Sequence, residues 1–199
     1  MKIVTTPMCQ EVLRLAGVQD FTVMKNTDSA DADIAVVLSE TNTSKKSIKI
    51  KLNTFSQIDD SIKLISDTFG TKPIVPHTGR QDVQGSMSAE DIKSRSRVKV
   101  KVYSKFLGEI VEDLGFTVVP GNTEDEHVKN GSTGKENSER ETYNFLVYPD
   151  YMENKIKDEI NFMGDRAVKV PSHRNASPNP VERAKLRYKI LEKKLCTKL

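Results

Sequence analysis

The sequence predicts an α/β protein made of two similar βαβ-containing halves, whose strands form a mainly parallel sheet covered by helices. Three observations carry this. A strand–turn–helix–glycine–strand passage occurs twice, as IVTTPMCQEVLRLAGVQDFTV over 3–23 and as KVKVYSKFLGEIVEDLGFTV over 99–118. The run IAVVL over 34–38 is apolar throughout, as a strand covered on both faces should be. Phe55, Ile58, Ile62, Ile65 and Phe69 recur at spacings of three and four, which is the stripe of an amphipathic helix.

Anchored on Gly17 and Gly115, the two copies agree in type: Val4 with Val102, Thr6 with Ser104, Glu11 with Glu109, Val12 with Ile110. In the first, a strand at Ile3–Thr5 is broken by Pro7. A helix follows from about Cys9 to Ala16, and Gly17 stops it in a left-handed conformation. Phe21–Met24 and Ile34–Leu38 are the next strands. Ile48, Ile50 and Leu52 alternate with Lys49 and Lys51, so that strand has one wet face and lies near an edge. Thr54 and Gln57 form a capping box for the helix that Gly70 ends. The first half thus spans 1–70, and a connection at 71–96 with proline and glycine but no periodicity follows it. Within that connection Ser88 and Asp91 cap a single helical turn.

The second half, 97–170, opens with Val98, Val100 and Val102 alternating with Lys99 and Lys101. A helix at about Lys105–Leu114 and a strand at Phe116–Val119 come next. Between 121 and 142 the only aliphatic residue is Val128, and six acidic side chains stand against three basic ones. Such a segment cannot offset its ordering entropy by burial, so it reads as a mobile, disordered acidic insertion. Phe145–Tyr148 resumes the sheet, a helix runs from about Tyr151 to Met163, and Ala167–Val170 is the last strand. In 171–199, Asn179, Pro180 and Glu182 announce a helix. It is basic and amphipathic, with Val181, Ala184, Tyr188, Leu191 and Leu195 on one stripe.

Composition narrows the function. The 199 residues carry a formal net charge of +3, too little to imply a polyanion partner. The two cysteines stand far apart and make no disulfide framework. Met1-Lys2 leads directly into a strand with no signal peptide, and no apolar run reaches membrane length. The expectation is a cytoplasmic protein that is not inserted in a membrane.

Ligands of open parallel sheets bind beyond the carboxyl ends of the strands, where strand order switches. The polar residues there are Thr6 and Cys9, Ser39 and Glu40, Ser104 and Lys105, and Asp150. They make a candidate site for a small anionic ligand or cofactor, although for Thr6 and Ser104, each taken alone, helix capping is the better reading. No dinucleotide or P-loop glycine pattern accompanies them, so no cofactor is named. Cys9, at a helix N-terminus, is the candidate nucleophile if its pKa is lowered there; a buried, apolar cysteine is the competing reading. His77, His127 and His173 lack partners at metal-ligand spacing, so no metal site is expected. The helix at 180–196 packs on its own domain, or else engages a protein partner or a second copy in a non-catalytic assembly role. Arg97, Lys99, Lys101 and Tyr103 along one strand face offer a weaker nucleic-acid reading, with no matching binding signature. A lysine-lined sheet edge explains them better.

The passages IVTTPMCQEVLRLAGV, IKIKLNTF and NFLVYPDYM together resemble a short α/β family found in methanogenic archaea. That resemblance implies a cytoplasmic archaeal protein linked to methanogenesis or its cofactors. It assigns no functional residue.

Overall fold

The computed structural model describes residues 1–74, 88–121 and 142–196. Most of the connection, nearly all of the acidic insertion, and with them His77 and His127, lie outside the described residues. The chain divides into two compact units, one holding 1–74 and 175–186, the other 88–121, 142–174 and 187–196.

The first unit contains β1 (Ile3–Thr5), α1 (Gln10–Leu15), β2 (Thr22–Val23), β3 (Ile34–Leu38), β4 (Ser47–Ile50) and α2 (Phe55–Phe69). Its four strands are all parallel, in the order β2-β1-β3-β4, with Val4 opposite both Thr22 and Ala35. β4 stands at the edge, where its alternating lysines place it. Val4, Ala35 and Val37 pack against Met24, Ala30 and Ala32, while α1 packs on α2. The Thr54–Gln57 capping box forms, and Gly70 ends α2 in the left-handed region.

The second unit contains α3 (Ala89–Arg95), β5 (Lys99–Val102), α4 (Lys105–Asp113), β6 (Thr117–Pro120), β7 (Phe145–Pro149), α5 (Lys157–Met163) and β8 (Ala167–Val170). Its parallel order, β6-β5-β7-β8, repeats that of the first. The strands therefore divide into two sheets of four rather than one continuous sheet. Leu146, Tyr148, Met152, Ile156 and Met163 form a core cluster under α5.

The repeat holds down to its hydrogen bonds. Gly17 N–H donates to Arg14 and Val18 N–H to Leu13; Gly115 N–H donates to Glu112 and Phe116 N–H to Val111. Both helices thus end in the same Schellman motif, with glycines at φ +82° and +88°.

Three elements differ from expectation. Ser88 and Asp91 cap a seven-residue helix, α3, rather than one turn. The helix expected over 151–163 is a 3-10 turn at Asp150–Met152 followed by the shorter α5. β5 is an internal strand paired on both sides, so its lysines line no sheet edge.

The last helix, α6 (Pro180–Leu195), starts as its sequence specifies: Asn179 Oδ1 accepts from the N–H groups of Val181 (2.9 Å) and Glu182 (3.2 Å). Glu182 does not close a capping box but accepts from Ser177 Oγ at 2.6 Å. Residues up to Leu186 belong to the first unit and those from Arg187 to the second. Ala184, Tyr188, Leu191 and Leu195 are buried within the chain, as the reading in which the helix packs on its own domain expects.

Candidate ligand site

In both units the strand order switches beside the first strand, because β2 and β3 lie on opposite sides of β1, and β6 and β7 on opposite sides of β5. The switch points, where ligands of such sheets bind, are the carboxyl ends of β1 and β3 in one unit and of β5 and β7 in the other.

In the first unit Thr6 follows β1 and its carbonyl accepts from Cys9 N–H at 3.0 Å, making a tight turn around Pro7 before α1. Thr6 does not cap the helix. Its hydroxyl instead donates to Cys9 Sγ at 3.5 Å. Cys9 occupies the N-cap position with no side-chain cap of its own and is fully buried. Burial pushes its thiol up to about 11, and the carboxylate of Glu40 adds to that; the Thr6 hydroxyl, the Arg183 charge and a backbone bond at Leu38 act the other way and are outweighed. The lowered pKa expected from the helix terminus is not found, because desolvation of the sealed sulfur is the largest influence on the thiol. Cys9 is therefore a protonated thiol at pH 7, which matches the competing reading of a buried, apolar cysteine more closely than that of an activated thiolate.

Ser39 and Glu40 are exposed after β3, with Ser39 Oγ donating to Glu40 Oε2 at 2.8 Å. The link that carries them is tied down where Asp28 Oδ1 accepts from Thr43 Oγ1 (2.6 Å) and Ser44 N–H (3.0 Å).

Sequence reasoning missed Arg183. It lies on α6 in the first unit, is 1% exposed, and is close enough to Cys9 for the two to interact electrostatically. Its Nη1 donates to the carbonyls of Ser177 (2.9 Å) and Pro178 (3.2 Å). Its Nε and Nη2 are buried and have no acceptor among the described residues. Burial lowers its pKa to about 10, which leaves it charged at neutral pH. The available signal was spacing, since position 183 shares the buried stripe with Ala184, Tyr188 and Leu191.

In the second unit Ser104 caps α4, accepting from Leu107 N–H at 3.4 Å. Lys105 is exposed, and Asp150, half-buried, opens the 3-10 turn after β7. The structure brings Ser104, Lys105 and Asp150 to adjoining strand ends, but places them in a different unit from Thr6, Cys9, Ser39 and Glu40. Lys101 and Tyr103, the core of the nucleic-acid reading, are occupied internally. Lys101 Nζ donates to Glu159 Oε1 at 2.8 Å and lies 5.3 and 5.2 Å from the ring centroids of Tyr103 and Tyr143. Both tyrosine hydroxyls donate to Glu159 as well. Burial opposes the Glu159 charge, yet these three donors hold its carboxyl below the usual range. Arg187, equally buried, stacks 4.6 Å over Phe106 and donates from Nε to Pro171 O at 3.1 Å.

No protein-family model matches the sequence, and no curated protein does at a significant level. Solved structures do. A zinc-bound AdcAII variant of Streptococcus pneumoniae is 12% identical with a TM-score of 0.60, over 98% of this chain and 99% of that one. A zinc-bound ZnuA deletion mutant is 12% identical with a TM-score of 0.53, over 98% of each chain. A manganese-bound periplasmic metal-binding protein of Candidatus Liberibacter asiaticus is 8% identical with a TM-score of 0.50, over 98% and 100%. The fold is therefore α/β, two four-stranded parallel sheets covered by helices, similar to that of metal-binding solute-binding proteins. These likenesses give no support to the methanogen resemblance. Among the described residues no helix is long and apolar enough to cross a membrane.

Proposed function

We propose that this protein binds a small anionic ligand at the carboxyl ends of β1 and β3 in its first unit. The observation that carries this is Arg183, a buried cation that interacts electrostatically with Cys9 and has two donor nitrogens without an acceptor among the described residues. A charge removed from water is costly unless paired, and an oxyanion supplies the pairing. The fold likeness to solute-binding proteins supports ligand binding as the class of function.

The residues at this place do not fit the divalent metals of the structural neighbours. Such metals are held by several imidazoles, thiolates or carboxylates together, whereas here a neutral thiol and one exposed carboxylate lie beside a buried guanidinium. Among the described residues no group of three or more His, Cys, Asp or Glu side chains could hold a metal ion.

Native mass spectrometry of protein purified from its own host is the test. A retained small acid, released on activation, is expected. Protein that emerges bare, and whose melting temperature responds to no small anion, contradicts the reading. We propose a cytoplasmic location on the strength of two free thiols, Cys9 and Cys196; recovery of the protein outside the cytoplasm on fractionation overturns it.

A further inference from the structure

We infer that the Nε–Nη2 edge of Arg183 is a bidentate seat for the carboxylate of a small, singly charged ligand. This rests on the reading of the first unit as an anion-binding unit and names the chemistry of its ligand.

A guanidinium is planar and rigid, and its five N–H groups divide between edges. In Arg183 the Nη1 nitrogen is spent on the carbonyls of Ser177 and Pro178, which fixes the plane of the group. The two nitrogens left without an acceptor among the described residues, Nε and Nη2, are the pair whose N–H bonds run parallel along the side edge. That edge matches two oxygens of one carboxylate or phosphate, and one oxygen alone would leave a donor unsatisfied. Among the described residues no Asp or Glu forms a salt bridge with Arg183, so none of them supplies such a pair of oxygens.

Glu40 bears on the choice between the two oxyanions. Its exposed carboxylate, at the end of β3, acts electrostatically on the same Cys9 thiol that Arg183 acts on. A second negative charge on the ligand is repelled there, which favours a monocarboxylate over a phosphate dianion. Arg183 is 1% exposed, so the seat lies in the interior and not on the surface.

The test is an arginine Nε–Hε correlation spectrum of the full wild-type chain, titrated separately with propionate, succinate and inorganic phosphate, each with and without EDTA. We expect the Arg183 signal to move with propionate and to move alike in EDTA. The variant Arg183→Lys keeps the charge but lacks the side edge. It should bind propionate more than about ten-fold more weakly, the equivalent of losing charge-assisted hydrogen bonds. A response to phosphate but not to propionate overturns the carboxylate assignment and leaves an anion site standing. Ligand-induced shifts at Thr6 and Cys9 amides with Arg183 unmoved overturn the seat and leave the strand-end site standing. Silence in every arm overturns both. The wild-type spectrum decides these outcomes even if Arg183→Lys does not fold.

Discussion

Cys9 sits at the N-cap of α1, where a thiolate would gain from free backbone N–H groups, yet its thiol is pushed up to about 11 because it is sealed from water. The sign of the consequence follows from linkage. Below pH 9 the thiol is protonated whether the chain is folded or not, and stability is unaffected. Between pH 9 and about 11 the unfolded chain releases this proton while the folded chain retains it, so stability falls as pH rises. Urea unfolding across this window should show a downward slope that Cys9→Ala makes shallower; equal slopes contradict the burial of the thiol. Arg183 was not legible in the sequence because arginine is ordinarily a surface residue, and a spacing argument counts only apolar side chains. Its burial comes from what α6 packs against, which one stretch of sequence does not reveal. Lys101 misled in the same way: alternation placed it on an exposed face, but Glu159, fifty-eight positions away, holds it with two tyrosines against the sheet.

Elements whose ends are set by local chemistry were legible. The Thr54–Gln57 and Ser88–Asp91 boxes and the Asn179 cap are short-range patterns, and each forms. The helix over 151–163 was legible only in its second part, since Met152 and Ile156 supply helical spacing while being buried from a 3-10 turn and the bend after it. The two repeat glycines share their conformation but not their surroundings. A Cβ on Gly115 meets only the Arg95 side chain, at 3.8 Å, whereas one on Gly17 would stand 2.3 Å from the Lys72 carbonyl oxygen. Gly115→Ala should thus cost about 1 kcal/mol, the usual penalty of the left-handed region. Gly17→Ala should cost clearly more, because a backbone carbonyl must also move. Chemical denaturation of the two variants checks this, and equal losses speak against the close approach at Lys72.

At the scale of the whole molecule, the duplicated passage announced two units of one topology, and the shared strand order and matching Schellman motifs supply them. The repeat did not announce two separate sheets, because both arrangements use the same local strand–helix–strand pattern. Nor did it announce that the tips diverge: Ser104 caps α4, while Thr6 leaves α1 uncapped and turns its hydroxyl to Cys9. That divergence, with Arg183 beside it, is the ground on which we propose the anion site in the first unit. Backbone amide shift mapping of the full chain during titration with propionate tests the claim most directly. The account predicts shifts concentrated at residues 5–9, 38–40 and 177–183. Shifts concentrated at 103–107 and 149–152, or none at saturating ligand, would contradict it.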